Sequence, residues 1–263
     1  MSSIEASQVA TLAGALADGS IEIVDLTQPL SESTPVIHLP PPFANTPGLS
    51  REEISHYDDR GPAWAWYTLT IGEHVGTHLD APIHWVTGKD GADVASVRPE
   101  QLIGPACVID KTAETEANNG YLLTVADLEA WEAENGRMPD EAWVLLRTGW
   151  GSRAQDQEAF LNVGPEGPQT PGPDVDASRW LAYERSISGF GVETVGIDAG
   201  AAGGMDPPFP VHNFLLGAGR LGLTQLANLH RLPITGALIV VSPLKLVGGT
   251  GSPSRVFAFV PKG

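Results

Sequence analysis

Cysteine is almost missing from this chain, and the single residue present, Cys107, excludes an internal disulfide framework. It lies in the apolar run 106–109, which predicts a buried structural thiol rather than a nucleophile. So little cysteine is typical of a reducing compartment. Residues 1–16 also lack the basic start of a signal peptide, so we expect the protein in the cytoplasm.

Basic residues are scarce as well. Lysine and arginine number 15 against 32 aspartates and glutamates, which gives a formal net charge of -17 at pH 7. Because phosphate groups are bound by clustered Lys and Arg, this balance argues against a nucleic-acid partner and against an anionic membrane surface. No apolar run approaches the length that crosses a bilayer. The acidic residues are spread along the chain, which favours a solvated surface.

The most informative segment is 74–84, with the sequence HVGTHLDAPIH. His74, His78 and Asp80 are separated by even intervals, so an extended backbone would point all three side chains to one face. A helix would turn Asp80 away from the two histidines, and the segment's glycine and proline are poor residues for a helix interior. We therefore predict the end of a strand that runs into a turn.

These side chains have the chemistry of a metal site. Imidazole nitrogen and carboxylate oxygen are ligands that divalent first-row metals accept readily. His74, His78 and Asp80 would leave coordination positions open for water and substrate, as a catalytic site requires. His84 lies beyond the proline and is free for another purpose. A chance grouping of surface or core histidines is the alternative, but four potential ligands in a chain with seven histidines favour a metal site.

Apolar periodicity predicts a mixed α/β chain without internal repeats. Helical patterns cover 7–17, 124–134, 178–188 and 212–216, and strand patterns cover 21–26, 65–71, 106–109, 143–146, 194–197 and 237–241. Thr124 and Asp127 are spaced as a capping box in which Asp replaces Glu. The irregular regions are expected to be the proline-rich stretch 33–62 and the polar loops 112–120 and 162–176. None of these loops resembles a domain linker, so residues 1–263 are predicted to form one domain.

The segment 74–84 resembles the signature of the cyclase family of metal-dependent hydrolases, which includes bacterial kynurenine formamidases and isatin hydrolases. Further segments resemble other parts of the family's sequence, namely 23–30, 145–150, 195–198, His212 and 248–256. The resemblance implies an α/β fold with a central mixed, barrel-like sheet of the swivelling β/β/α type and peripheral helices. It also implies a homodimer in which the long N-terminal loop contributes to a neighbour's site, with Phe43 as the candidate contact.

The second half of the site departs from one branch of the family. Kynurenine formamidases of this type hold two zinc ions, with a later His and Glu completing the second site. His212 matches that histidine, but the segment 223–229 offers Thr and Gln and no carboxylate. A neutral side chain offsets a second divalent charge poorly, so we predict one metal ion, bound by His74, His78 and Asp80. Gln225 is either a weak fourth ligand, a partner of a metal-bound water, or a surface residue.

This pattern is similar to that of isatin hydrolases, which are associated with manganese. The predicted reaction is hydrolysis of a cyclic amide, isatin to isatinate, with Mn preferred and Zn as the alternative metal. His84 is the candidate general base because an imidazole titrates near neutral pH, and His212 would orient groups or relay a proton to the leaving amine. A flat aromatic substrate needs apolar walls, for which Trp85 is the best-placed tryptophan.

Two other functions remain open at this stage. A zinc-dependent arylformamidase acting on N-formylkynurenine predicts a carboxylate near position 224, which the sequence lacks. A non-catalytic metal-binding protein of the same fold predicts loss of the open coordination position or of the base, yet His84 is present.

Overall fold

The computed structural model describes residues 3–262, and most of its regular structure is short strands. The strands are β1 Ile21–Asp25, β2 Ser50–His56, β3 Ala65–Thr70, β4 His78–Asp80, β5 Ile103–Asp110, β6 Leu122–Leu123, β7 Trp143–Arg147, β8 Val163–Gly164, β9 Gly167–Pro168, β10 Gly172–Pro173, β11 Gly189–Val192, β12 Leu221–Thr224, β13 Ala237–Pro243 and β14 Gly251–Pro261. The α-helices are α1 Ser3–Ala17, α2 Thr112–Ala117, α3 Val125–Asn135, α4 Gln157–Leu161 and α5 Val175–Tyr183. A π-helix covers His212–Leu216.

Seven of these strands close into a mixed barrel in the order β4-β14-β13-β5-β7-β11-β12, and β4 pairs again with β12. The strands β5, β7, β11 and β12 run parallel, while β13, β14 and β4 are antiparallel to their neighbours. Strand β1 pairs with the C-terminal part of β14. The expected α/β fold with a central mixed, barrel-like sheet and peripheral helices is confirmed.

Alternate residues of the barrel strands build two separate cores. On β7, Trp143 and Leu145 belong to the cluster that fills the barrel, to which every barrel strand except β11 contributes a side chain. Val144 and Leu146 belong to a second cluster, in which the outer face of the parallel strands packs against α3 and α5. This alternation is what a strand with both faces buried produces. Cys107 points outward on β5 into the second cluster and is buried, as predicted.

Several sequence predictions need correction. The strand expected at 194–197 lies earlier, at β11, whose sequence Gly-Phe-Gly-Val has low strand propensity and hid it. The stretch 33–62 is not irregular throughout, because it contains β2, a strand of mostly polar and exposed residues. The loop expected at 112–120 contains α2, and the region 162–176 contains the start of α5 and three two-residue strands. The capping box of Thr124 and Asp127 is confirmed at the start of α3.

The β2–β3 hairpin stands apart from the barrel sheet and pairs only within itself. Its large side chains face solvent: Trp66 is 53% exposed and Leu69 58%. A two-stranded hairpin on its own is marginally stable in water, so these side chains require a surface to pack against. Among residues 3–262, no helix combines the length and the apolar character that a membrane crossing requires.

Candidate metal centre

His74, His78 and Asp80 converge at the surface of the barrel, where one potential ligand atom of each lies within 4.8 Å of the others. The Nδ1 atom of His74 is 2.8 Å from Oδ1 of Asp80, and the Nε2 atom of His78 is 3.4 Å from the same oxygen. Asp80 is only 1% exposed. Two imidazoles and a carboxylate brought this close form a donor set suited to a divalent first-row metal.

Strand β4 supplies two members of this triad. His78 and Asp80 point away from the barrel, while Leu79 between them lies in the interior cluster. His74 precedes the strand in a turn that includes Gly76 at φ 66, a left-handed conformation that favours glycine. The prediction that the backbone is extended from His74 onward is therefore wrong, although the three side chains meet as expected.

Glycine on both neighbouring strands makes room for the triad. Asp80 lies opposite Gly222 on β12 and Gly251 on β14. A Cβ atom at Gly222 would lie 2.9 Å from Oδ2 of Asp80, and one at Gly251 would lie 2.4 Å from Cε1 of His74. Because real Cβ atoms essentially never approach so closely, any larger residue at either position would displace a candidate ligand.

Hydrogen bonds and charges prepare the triad for a cation. The Nδ1 atom of His78 lies 2.7 Å from the carbonyl oxygen of Gly76, to which it donates, so Nε2 keeps the lone pair that faces Asp80. Burial opposes the ionised form of Asp80, but the neighbouring His78 and His74 outweigh it and hold the pKa of its carboxyl well below its usual range. The ionised carboxylate and the lone pair of His78 then face the same point.

Gln225 follows β12 in a conformation that is unusual for a residue with a side chain. Its φ is 54, in the left-handed region, which costs about 1–2 kcal/mol for a non-glycine residue. The backbone is held there at both ends: its N–H donates to the Thr194 carbonyl at 2.9 Å, and its carbonyl accepts from the Thr77 hydroxyl at 2.6 Å. The hydroxyl of the preceding residue, Thr224, lies 2.9 Å from Nδ1 of His78.

The amide of Gln225 is buried without a hydrogen-bond partner. The residue is 1% exposed, and neither Oε1 nor Nε2 finds a partner among the described residues. An unsatisfied buried amide costs about 1–3 kcal/mol, so native proteins rarely leave one unpaired. Gln225 directly follows Thr224, whose hydroxyl contacts His78, so an ion at the triad would offer the orphaned amide oxygen a partner, and the donor set present fits such an ion. The alternative that Gln225 is a surface residue is wrong.

His84 lies next to the triad, on a short 3-10 helix that begins at Pro82. Its ring stacks on His74 with centroids 4.0 Å apart. Burial lowers the pKa of His84 to about 4, against the opposing charge of Asp80. The ring is therefore neutral at physiological pH and offers one nitrogen as a proton acceptor.

His212 lies across from His84, with ring centroids 5.6 Å apart, at the start of the π-helix. Its Nδ1 atom donates a hydrogen bond to Oδ2 of Asp198. The same oxygen accepts from the backbone N–H of His212, and Oδ1 of Asp198 accepts from the backbone N–H of Val211. Burial opposes the charged imidazole, but the hydrogen bond and charge of Asp198 outweigh it and raise the pKa of His212. The Asp198 side chain thus orients the ring of His212.

Aromatic rings line the approach to the histidines. Trp85 packs against His212 with centroids 4.7 Å apart and meets the edge of Phe209 at 5.6 Å. Phe209 is 41% exposed and was not identified from the sequence, because no local pattern links it to the segment 74–84. Phe43 is 64% exposed on the long N-terminal loop, and within the described part of the chain its ring does not pair with any ring at the site.

Comparisons with known proteins agree with this geometry. A family model described as a putative cyclase matches residues 24–199. The isatin hydrolase of Roseibium aggregatum is 47% identical over 259 residues, 97% of this chain and 98% of that protein. The crystal structure of an isatin hydrolase bound to the product analogue thioisatinate matches with a TM-score of 0.96, at 46% identity, and covers 100% of both chains. The kynurenine formamidase of Salinibacter ruber is 27% identical over 191 residues, 72% of this chain and 76% of that protein.

Replacing Asp198 by Asn should lower the pKa of His212, because burial would then oppose the imidazolium with only the more weakly acting charge of Asp80 to favour it. The pKa is read from an NMR titration of the histidine rings in the metal-free protein. Asp206→Asn, in the same loop but outside the hydrogen bonds to His212, is the matched control and should leave the titration unchanged. An unaltered His212 titration in Asp198→Asn would show that Asp198 acts only on the backbone.

Proposed function

The chain belongs to the family described as putative cyclases, and from that premise we propose that it is a metal-dependent hydrolase that opens the cyclic amide of isatin to isatinate. Residues 1–263 form the single hydrolase domain of this proposal. The observation that carries it is the triad of His74, His78 and Asp80, together with the buried, unpaired amide of Gln225 after β12 and the absence of a second carboxylate at the end of that strand. Near full-length similarity to an isatin hydrolase supports the substrate.

One divalent ion would be held by His74, His78, Asp80 and the amide oxygen of Gln225. Two nitrogen and two oxygen donors without a thiolate favour Mn²⁺, with Zn²⁺ as the alternative. When bound, such an ion polarises a carbonyl group and acidifies a water molecule. The adjacent carbonyl oxygens of isatin are spaced to chelate a single ion that keeps open positions, which supports this substrate class.

His84 and His212 each carry out one of the two proton transfers of the proposed reaction. His84 takes a proton from the attacking water, because its ring is neutral and stacks on His74 beside the triad. Water adds to the amide carbonyl carbon, and the bond from that carbon to the ring nitrogen breaks. His212, held by Asp198 through Nδ1, supplies a proton from Nε2 to the departing nitrogen. The products are one carboxylate and one aryl amine on the same ring.

The aromatic rings at the entrance would bind the benzene ring of the substrate. Trp85 and Phe209 present a face and an edge beside His212. Apolar walls with a few convergent polar groups are the usual composition of small-molecule sites. We therefore propose both Trp85 and Phe209 as substrate-binding residues.

The protein should hydrolyse isatin in preference to N-formylkynurenine and contain one metal ion per chain. Protein purified without added metal, analysed by elemental mass spectrometry and assayed with both substrates, tests this. Two tightly bound zinc ions with formamide hydrolysis would identify an arylformamidase instead. Bound metal without turnover of either amide would identify a non-catalytic metal-binding protein.

Replacing His84 by Ala should lower kcat by about 10²–10⁴-fold, the usual contribution of a general base, without removing the metal. Steady-state kinetics and metal analysis of the same preparation measure both effects. His230→Ala, which lies on a 3-10 helix remote from the triad, is the matched control. Turnover by His84→Ala close to that of the control would assign the base elsewhere.

We further infer that two copies associate through the β2–β3 hairpin and that Phe43 reaches the neighbouring site. The support is the exposed hairpin, with Trp66 and Leu69, and a cavity of about 610 Å³ between it and the barrel whose lining includes Leu69 but no residue of the triad. A second copy would bury this apolar surface.

The single buried Cys107 is consistent with the cytoplasmic location that we include in the proposal.

Light scattering should give the mass of a dimer, and Trp66→Ser with Leu69→Ser should shift it towards a monomer. Val163→Ser, at an equally exposed site on another hairpin, is the control.

Phe43→Ala should raise KM, and mixed dimers with His84→Ala should restore the normal KM in half of the sites, since each intact base would face an intact Phe43. A monomer at all concentrations, or no rescue on mixing, would contradict the respective part of this inference.

A further inference from the structure

A carboxylate lies behind His74, on the side of its ring that faces away from the triad. Nε2 of His74 is 2.9 Å from the hydroxyl oxygen of Thr250, and that oxygen is 2.6 Å from Oε2 of Glu73. The backbone N–H of Thr250 donates to the same carboxylate oxygen at 2.9 Å. Imidazole, hydroxyl and carboxylate are thus linked by consecutive hydrogen bonds just before β14.

The direction of each hydrogen bond between His74, Thr250 and Glu73 follows from the number of available hydrogens. A carboxylate only accepts, and a threonine hydroxyl has one hydrogen to give. Thr250 therefore donates to Glu73 and accepts from Nε2–H of His74. This fixes the hydrogen of His74 on Nε2 and directs Nδ1, at 2.8 Å from Asp80, towards the ion. His78 has the reverse arrangement, with its hydrogen on Nδ1 and Nε2 towards Asp80.

We propose that Glu73, acting through Thr250, is a positioning residue that orients His74 for metal binding and supplies the second negative charge of the centre. This inference rests on the proposed metal centre. Asp80 contributes one negative charge and Gln225 none, so the residues that would touch the ion neutralise only half of a divalent charge. Glu73 supplies the remaining charge from behind a ligand, where it does not occupy a coordination position.

Two substitutions separate the parts of this role. Thr250→Val keeps the size of the side chain but removes the hydroxyl that links His74 to Glu73. It should raise the dissociation constant for Mn²⁺ by about 10–100-fold. Glu73→Gln keeps an acceptor for the hydroxyl and removes the charge, and it should weaken binding by about 10-fold. Thr250→Ser should restore the affinity. Because Glu73 acts through Thr250, the double variant should lose less than the product of the two single losses.

The chain offers a matched control. At the start of α2, Thr112 donates to Asp110 through its N–H at 3.0 Å and its hydroxyl at 2.7 Å, the same arrangement as Thr250 and Glu73 but without a histidine. Thr112→Val should leave Mn²⁺ affinity unchanged. The visible spectrum of the Co²⁺-substituted protein should change in Thr250→Val and remain as in the wild type in Thr112→Val, since only the former alters a ligand.

Titration of metal-free protein with Mn²⁺, followed by electron paramagnetic resonance of the free ion, measures each affinity. Thermal unfolding of the same metal-free samples gives their stability. Lower stability of Thr250→Val and Glu73→Gln with unchanged affinity would overturn the inference and leave Glu73 as a turn-stabilising residue. His74→Ala separates this failure from that of the metal centre itself: if it binds Mn²⁺ as tightly as wild type, the proposed centre is wrong.

Discussion

The site depends on one structural constraint, the closure of the barrel through β4. This strand has only three residues, yet it pairs with β12 on one side and β14 on the other. Leu79 fills the barrel interior while His78 and Asp80 face outward. The same backbone hydrogen bonds therefore close the barrel and fix the distance between two candidate ligands. A site built in this way is held by regular structure rather than by a mobile loop, which favours precise ligand geometry.

The pKa values of two histidines near this strand, His84 and His212, are shifted in opposite directions. His84 is neutral because burial disfavours its charge and, among residues 3–262, no carboxylate is hydrogen-bonded to its ring. His212 is equally enclosed, but Asp198 pairs with it and favours the imidazolium. Adjacent groups whose environments push their pKa values apart can serve as base and acid in one reaction. The assignment of roles therefore follows from the position of a single carboxylate, Asp198.

The sequence predicted those parts of the site that are local in the chain. His74, His78 and Asp80 lie within seven residues, so their spacing was visible, although the turn at Gly76 was not. The pairing of Trp85 with Phe209 and of Thr250 with Glu73 depends on tertiary contacts between distant segments, which no periodicity reports. The barrel was expected from family resemblance, whereas the hairpin strand β2 was missed because its side chains are polar and exposed.

The charge of the site connects the number of metal ions to the choice of reaction. A carboxylate at the end of β12 would favour a second ion, but the chain places Gln225 there, in a left-handed conformation held by Thr77 and Thr194. A neutral amide completes the surroundings of one ion without attracting another. A single ion at the proposed centre would have to offer open positions to both substrate and water, and a substrate with two adjacent carbonyl groups would meet that requirement better than a linear formamide. In the proposed function, an amide in place of a carboxylate at this turn of the barrel would account both for a single metal ion and for a cyclic dicarbonyl substrate.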